Sequence, residues 1–403
     1  MYNIGIIMGG VMPVPAVCGG AIETLITSIA KKYSKEDGFR LTVFSVYHKE
    51  AVEAAKNYPD VRFVWTHTNT FWNLAKHAVF LAVRELTGKT IRMLQRHYNE
   101  IAPVLQNEKF DLILVEGGDE QAVIDIAKGY TRDQLVFHAH IHFIPKEEVV
   151  KGFGHMLGVS EFVVREYQKA CKMPVDAHVL RNAIDTDKFN KPVSSERRRE
   201  LREKLGLKED DFVVLFVGRL IQVKGVLELI QAVLAIQDPH IKLLCIGSAN
   251  FGKWAFSTYE RTVKKLIAQN QGRILFTGYV DNAEVYQYAS MADAQCVPSL
   301  WEEAAGLVVL EAMAEGLPLI VTKSGGIPEY VGRDAAVFVE RDHIVDNLQK
   351  AICYMKEHPA VREQMSEAAK KQSKQYDESI YYKNFAQLMN KIIDENMENR
   401  NET

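Results

Sequence analysis

The amino-acid sequence predicts an α/β protein of two doubly wound domains, each a parallel sheet with helices on both faces. Three observations predict it. Short runs rich in β-branched residues alternate with helix-length amphipathic stretches. Most of these runs are continuously apolar, the pattern of strands buried on both faces of a parallel sheet. The alternation also stops and restarts at Phe212, in a chain whose 403 residues exceed what one hydrophobic core usually supports.

In chain order, the first series of strand-like runs covers 3–10, 41–47, 61–66, 110–118 and 135–140, with a helix expected over 22–33. Residues 194–205 (SSERRRELREKL) read as a charged helix with little apolar face. The second series covers 212–219, 241–247, 273–280, 293–299 and 317–322, with a helix over 226–236. The domain boundary falls near 184–195, giving domains over 1–185 and 186–374. A last helix, 378–394, has a broad apolar face that must pack on something, so the segment from about 375 to 403 is expected to rejoin the first domain. The tail after it, ENMENRNET, reads as frayed. Two such domains side by side form a cleft faced by the carboxyl ends of both sheets, so the loops after strands are where chemistry is expected.

Composition narrows the classes. The hydrophobic fraction of 47% and charged fraction of 25% are those of a folded globular protein. A net charge of −3 supplies no global field for nucleic acid. The five cysteines are scattered and form no CxxC pair, so neither a disulfide framework nor a zinc site is expected, and a reducing compartment fits best. No secretory leader and no apolar run of about twenty residues is evident. The expected location is cytoplasmic.

Three loops carry candidate chemistry. The first, GGVMPVPAVCGGAIETL, follows the first strand and holds the pairs Gly9–Gly10 and Gly19–Gly20 just before a helix. Glycines let a ligand approach the backbone, and the free N–H groups of a helix start face an anion. The alternative is a structural strand-to-helix turn. The spacing is neither GxGxxG nor a Walker loop. The second loop, GRLIQVKG, places Arg219 and Lys224 five residues apart at the start of a helix. A planar fork and a compact charge suit a diphosphate, although a pair of solvated cations reads the same way. The third region, 298–331, sets Glu303 and Glu311 eight residues apart around Gly306, which opens a helix over about 307–315. Both carboxylates are placed to accept hydroxyl groups of one ligand. Alternatively, Glu311 caps or pairs locally and Glu303 is solvated. A carboxylate within LVVLEAMA is costly to bury without a partner.

Glu303-Ala-Ala-Gly306-Leu-Val-Val-Leu-Glu311-Ala-Met-Ala, then Gly316-Leu-Pro318 and Gly325-Gly326-Ile-Pro328-Glu329, resembles the signature of the retaining family 4 glycosyltransferases of GT-B fold. GRLIQVKG resembles the family's GR…KG element, 276–299 its F-x-G segment and closing P-S, and RNAIDTDKF (181–189) its interdomain segment. The resemblance covers nearly the whole chain and is strongest in the C-terminal half. It implies two Rossmann-like domains facing a central cleft, and retaining, metal-independent transfer of a sugar from a nucleotide diphosphate donor, most naturally a UDP-sugar, to a glycan or lipid-linked acceptor. Assembly of surface polysaccharide or another glycoconjugate is the implied setting. Arg219 and Lys224 would hold the diphosphate, Glu311 the ribose hydroxyls and Glu303 those of the transferred sugar. Backbone at Gly306, Leu307 and Val308 would contact sugar and phosphate, backbone at Tyr279 and Val280 the base, and Gly19 and Gly20 the phosphate side. His140 would face the donor sugar.

His138, His140 and His142 have period-two spacing and on a strand share one face, so packing and metal binding stand beside the donor role. Asp185-Thr-Asp187 mimics a metal motif but does not follow a suitable strand. Ala305 stands where the family often has Phe, and Ala183 where it usually has Gly; the first change reshapes the donor pocket. Residues 71–98 combine large apolar side chains with Lys76, Arg84, Lys89, Arg92 and Arg96. They read as an amphipathic helix for peripheral contact with an anionic membrane, or as a helix packed on its own domain. The rival functions are a nucleotide-sugar 2-epimerase of the same architecture and a non-enzymatic nucleotide-sugar-binding protein.

Overall fold

A computed structural model describes residues 1–68, 79, 95–142, 144–248 and 258–401. The chain divides into one unit of Met1–Asn182 with Glu378–Thr403 and a second of Ala183–Asp377.

The first unit is built on β1 (Tyr2–Met8), β2 (Phe39–Val46), β3 (Arg62–Thr66), β4 (Leu112–Glu116), β5 (Leu135–Ala139), β6 (His155–Gly158) and β7 (Asp176–Val179). They form one seven-stranded sheet in the order β3-β2-β1-β4-β5-β6-β7, and every pairing is parallel. The second unit holds β8 (Phe212–Val217), β9 (Ile241–Ile246), β10 (Ile274–Gly278), β11 (Ala294–Val297), β12 (Leu319–Thr322) and β13 (Ala336–Val339). Its order, β10-β9-β8-β11-β12-β13, repeats that of the first sheet. In each sheet the first strand lies between the second and the fourth. The chain therefore reverses its winding direction there and leaves a crevice at the carboxyl ends of those central strands.

The continuously apolar runs are buried as a two-sided sheet requires: β4 is buried along its whole length, and β8 all but its last residue. In the second unit Val214, Leu243 and Ile320 from the sheet pack with Leu229, Ile230, Val233, Leu348 and Ile352 from covering helices, all inaccessible to solvent. Each such side chain contributes roughly 1.5–3 kcal/mol.

The last helix runs Glu378–Asn401, which corrects the frayed tail expected after residue 394. Phe385, Met389, Ile392 and Ile393 are buried along it, and it packs on the helix Ala21–Lys32 of the same unit. Near its end Asn396 is also buried, its Nδ2 donating to the Asp133 carbonyl at 2.6 Å, so a polar side chain anchors the last turns. The helix Ser195–Lys204 is exposed on most of its surface, yet Arg202 turns inward and donates to the carbonyls of Met291, Lys208 and Asp211. The basic segment 71–98 lies outside the described residues apart from Val79 and 95–98; there Arg96 opens the helix Arg96–Asn107 and pairs with Glu100. Asp185 caps the turn Thr186–Phe189 by accepting from the Lys188 N–H at 3.1 Å, a structural task for the carboxylate that mimicked a metal motif.

Candidate active site

In the second unit, the loop after β8 and the loop after β11 flank the switch point. Gly218–Gly225 turns tightly through a short 3-10 segment, Gln222–Lys224, into the helix Val226–Ala235. Gly225 has φ 68°, and a Cβ there would lie 2.0 Å from the Pro298 carbonyl oxygen. The two loops therefore pass each other where only a glycine fits.

That approach brings Lys224 to Glu303, 79 residues away in sequence, with Nζ to Oε1 at 2.5 Å. Ser299 Oγ donates to the same oxygen at 2.7 Å. The Lys224 ammonium also sits 5.5 Å from the centroid of Trp301, a ring that is partly exposed. Glu303 itself is 6% exposed. Burial pushes its carboxyl up, but the Lys224 charge and hydrogen bonds from Lys224, Ser299 and Trp301 outweigh this and hold it below the ordinary carboxylate range. Arg219, on the same loop as Lys224, is exposed.

Glu303 is also fixed by its backbone. Its N–H donates to Ser324 Oγ at 3.2 Å, and its carbonyl accepts from the Gly326 N–H at 2.7 Å. Gly325, at φ 50°, passes so close that a Cβ would lie 2.1 Å from the Glu303 carbonyl oxygen. Glu302, next in the chain, accepts from the Gly325 N–H at 2.5 Å and pairs with Arg341. The Gly-Gly-x-Pro-Glu stretch is thus a buttress under Glu303.

Gly306, at φ 82°, caps the helix Leu307–Glu315 with no side-chain cap of its own. The N–H groups of Leu307 and Val308 lie in its first turn, where a helix leaves donors for an anion. Glu311 lies farther along this helix, which packs on the turn Thr186–Phe189. Burial raises the Glu311 carboxyl, while Lys188 and a hydrogen bond from Asn282 pull it down. These partners are distinct from the Lys224–Ser299 pair that holds Glu303. Glu315, one turn on, is pushed up to about 9 by burial and by Glu311. Tyr279 and Val280 follow β10, and Tyr279 is exposed.

The first unit has its own switch-point cluster. Gly9 and Gly118, after β1 and β4, lie back to back: a Cβ on Gly118 would meet Gly9 Cα at 2.9 Å. Gly19 and Gly20 (φ 77° and 102°) lead into the helix Ala21–Lys32. Glu116, at the end of β4, is buried and accepts from His138 Nδ1 at 3.0 Å and His140 Nε2 at 2.5 Å. A carboxylate only accepts, so each imidazole carries its proton on the nitrogen facing Glu116. Burial opposes ionisation of Glu116, and the two imidazoles outweigh it, so the group stays below its ordinary range. Burial and the neighbouring His138 push His140 down, against the pull of Glu116, so its ring is neutral at pH 7. His142 does not share their face; it is exposed beyond the strand and packs on the Phe162 ring at 5.4 Å. His97, buried between Thr66 Oγ1 at 2.7 Å and the Met8 carbonyl at 2.9 Å, closes the base of the first glycine pair and is lowered to about 4 by burial.

Sequence reasoning did not single out Glu116, Ser299 or His97. The signal for Glu116 was an acid ending an apolar strand one register away from two alternating histidines. Among the described residues, three groups have metal-ligand composition: Glu116–His138–His140, His155–Asp176–His178 and Asp210–Asp211–His240.

Residues 197–372 match the family model described as glycosyl transferases group 1. Spore coat protein SA of Bacillus subtilis (strain 168) is 24% identical over 335 residues, which span 82% of this chain and 83% of that protein. The lipopolysaccharide 1,2-N-acetylglucosaminetransferase of Salmonella typhimurium is 27% identical over 246 residues, or 59% of this chain and 61% of the relative. Among solved structures, Anabaena Alr3699/HepE in complex with UDP has a TM-score of 0.71 at 20% identity, covering 97% of this chain and 100% of that one. Two parallel sheets of one repeated order are the architecture of the GT-B fold, the fold of this solved structure.

Proposed function

We propose that the protein transfers a sugar, with retention of configuration and without a metal, from a UDP-sugar to a glycan or lipid-linked acceptor. The observation that carries this reading is the Lys224–Glu303 pair at the switch point of the second sheet, beside the N-terminus of the helix Leu307–Glu315. Lys224, exposed Arg219 and the N–H groups of Leu307 and Val308 form an electropositive rim for a diphosphate whose charge grows as the sugar departs. Glu303 accepts from hydroxyl groups of that sugar, and Glu311 from the ribose. Donor entry frees Lys224 from Glu303 and gives each a new partner. His140, held by Glu116 through its Nε2, is the first unit's candidate for contact with the donor sugar. The acceptor attacks from the face the phosphate leaves, and a phosphate oxygen takes its proton. Glu303 forms no covalent intermediate in this reading; its carboxylate accepts hydrogen bonds from the sugar hydroxyls.

UDP is the nucleotide in the HepE complex, and the Salmonella relative is named for transfer to lipopolysaccharide; these support the donor base and the acceptor class proposed here. Assembly of surface glycans at the cytoplasmic face of a membrane is the setting that fits. The test is donor hydrolysis in the absence of acceptor, with EDTA present. Slow release of sugar and UDP by the intact protein, reduced at least a hundredfold in Glu303→Gln, is the expected result. A 2-epimerase would instead return an epimerised sugar at a rate unaffected by acceptor. A binding protein would release nothing. Either outcome refutes the reading.

A further inference from the structure

At the amino-terminal ends of β6 and β7, opposite the loops described above, three side chains converge. His155 opens β6 and Asp176 opens β7, and the register sets them side by side. His178 lies two residues along β7, on the same face. Asp176 Oδ2 receives His155 Nδ1 at 2.8 Å and His178 Nε2 at 2.9 Å. The ligand atoms of all three lie within 4.8 Å of one another.

The far side of His155 is already arranged. Its Nε2 is 3.1 Å from Asn396 Oδ1, and Asn396 Nδ2 donates to the Asp133 carbonyl at 2.6 Å. The Asp133 carbonyl only accepts, so the Asn396 amide has one orientation and its Oδ1 takes a proton from Nε2. A neutral His155 therefore keeps its lone pair on Nδ1, pointing into the cluster. An outer acceptor that fixes tautomer and ring orientation is the usual support of a metal-binding histidine. A pocket of about 470 Å³ opens at the same place, lined by Asp133, Asp176, Glu395 and Glu398 as well as His155. Lys391 pairs with Glu395, one of the lining carboxylates, at 3.6 Å.

We propose that this cluster binds one divalent transition ion, with Zn²⁺ favoured by the ligand set. His155 Nδ1, His178 Nε2 and Asp176 are its protein ligands, and the remaining position opens to water in the acidic pocket. Two imidazoles and a carboxylate are a borderline set that prefers such ions to Mg²⁺ or Ca²⁺. Binding displaces the protons that now bridge the imidazoles to Asp176, so affinity falls in acid. The ion ties β6 and β7 together, and Asn396 links it to the last helix, so the site fastens that helix to the sheet. This proposal is independent of the transferase chemistry.

The test uses the full chain stripped with a chelator and then titrated with ZnCl2 against a chromogenic competitor. The expected result is one equivalent bound, a melting temperature raised by Zn²⁺ and restored by EDTA, and affinity lower at pH 5.5 than at pH 7.5. His178→Ala and Asp176→Asn should each lose at least tenfold in affinity. Glu116→Gln and His240→Ala, which alter the other two clusters, should leave this equivalent intact. No bound equivalent, or one unaffected by both His178→Ala and Asp176→Asn, overturns the proposal. Should those variants fail to fold by circular dichroism, anomalous scattering at the zinc edge from crystals of the unaltered chain decides. A peak between His155 and His178 supports the site, and its absence there overturns it.

Discussion

Replacing Gly325 with alanine tests whether the glycine pair below Glu303 positions that carboxylate. The new methyl would lie 2.1 Å from the Glu303 carbonyl oxygen and 2.9 Å from Glu303 C and N, whereas ordinary contact begins near 3.4 Å. The Glu303 backbone must retreat by roughly 1 Å, which stretches the 2.7 Å hydrogen bond from Gly326 N–H and shifts the partner of Lys224. An L-residue at positive φ costs about 1–2 kcal/mol, a weakened buried hydrogen bond about 1, and overpacking roughly 1–3; a loss of about 3–6 kcal/mol is expected. Gly206→Ala is the matched control, because Gly206 has φ 68° and nothing within 4 Å of a Cβ. It should cost about 1–2 kcal/mol, the strain alone. Urea melts followed by circular dichroism measure both, and donor hydrolysis reads the site. A displacement of about 1 Å at a positioned group costs on the order of a hundredfold in rate, so Gly325→Ala should fall by that factor while Gly206→Ala stays near the unaltered rate. Equal stability losses in the two variants, or full hydrolysis by Gly325→Ala, would refute the buttress.

Three further expectations come from buried ionisable groups. His97 is buried and lowered from 6.5 to about 4; its neutral form is the one that fits, so it contributes stability above pH 6.5 that is lost as pH falls through 4, roughly 3 kcal/mol in all. Urea melts at pH 7, 5.5 and 4 should show this acid loss, and His97→Gln should flatten it. Glu315, raised from 4.5 to about 9, behaves in the opposite sense. It holds its proton in the fold, so its contribution is present below pH 4.5 and is lost as pH rises through 9. Its Oε1 has no hydrogen-bond partner among the described residues, and Glu315→Gln should therefore raise stability at pH 8 by roughly 3–5 kcal/mol, with a gain below about 1 kcal/mol at pH 5. Arg202→Leu should cost roughly 3 kcal/mol in the same melts, because three backbone carbonyls lose their donor; a loss below about 1 kcal/mol would mean that the helix Ser195–Lys204 is as solvated as its sequence looks.

Legibility followed the length of the signal. Runs such as Phe212–Val217 and Ile241–Ile246 are long and fully apolar, and they stand out without a structure. β6 (HMLG), β7 (DAHV) and β13 (AVFV) have four residues each, and two of them begin on a histidine or an aspartate, so no period could mark them. The strand order was not legible, and with it went the reason Lys224 meets Glu303: the two loops leave adjacent strands, β8 and β11, that are far apart in sequence. Glu116 shows the same limit, because its partners are His138 on the neighbouring strand β5 and His140 just beyond it. Inward-turning polar groups were misread for a different cause. Arg202 and Asn396 sit in segments whose composition suggests solvent, and their backbone acceptors appear only once other elements are placed. The glycines were legible as turns, but the close approaches at Gly225 and Gly325 depend on loops that arrive from elsewhere.

The central claim, a nucleotide diphosphate site on the second unit built around Lys224 and Glu303, is tested most directly by ligand-dependent melting. UDP, GDP, ADP and dTDP and their common sugars would be compared in EDTA, on the unaltered chain and on Lys224→Met. The account predicts that the uridine series raises the melting temperature of the unaltered chain without metal, and that Lys224→Met, still folded, loses most of that shift. No shift with any nucleotide, or an equal shift in the two proteins, would contradict it.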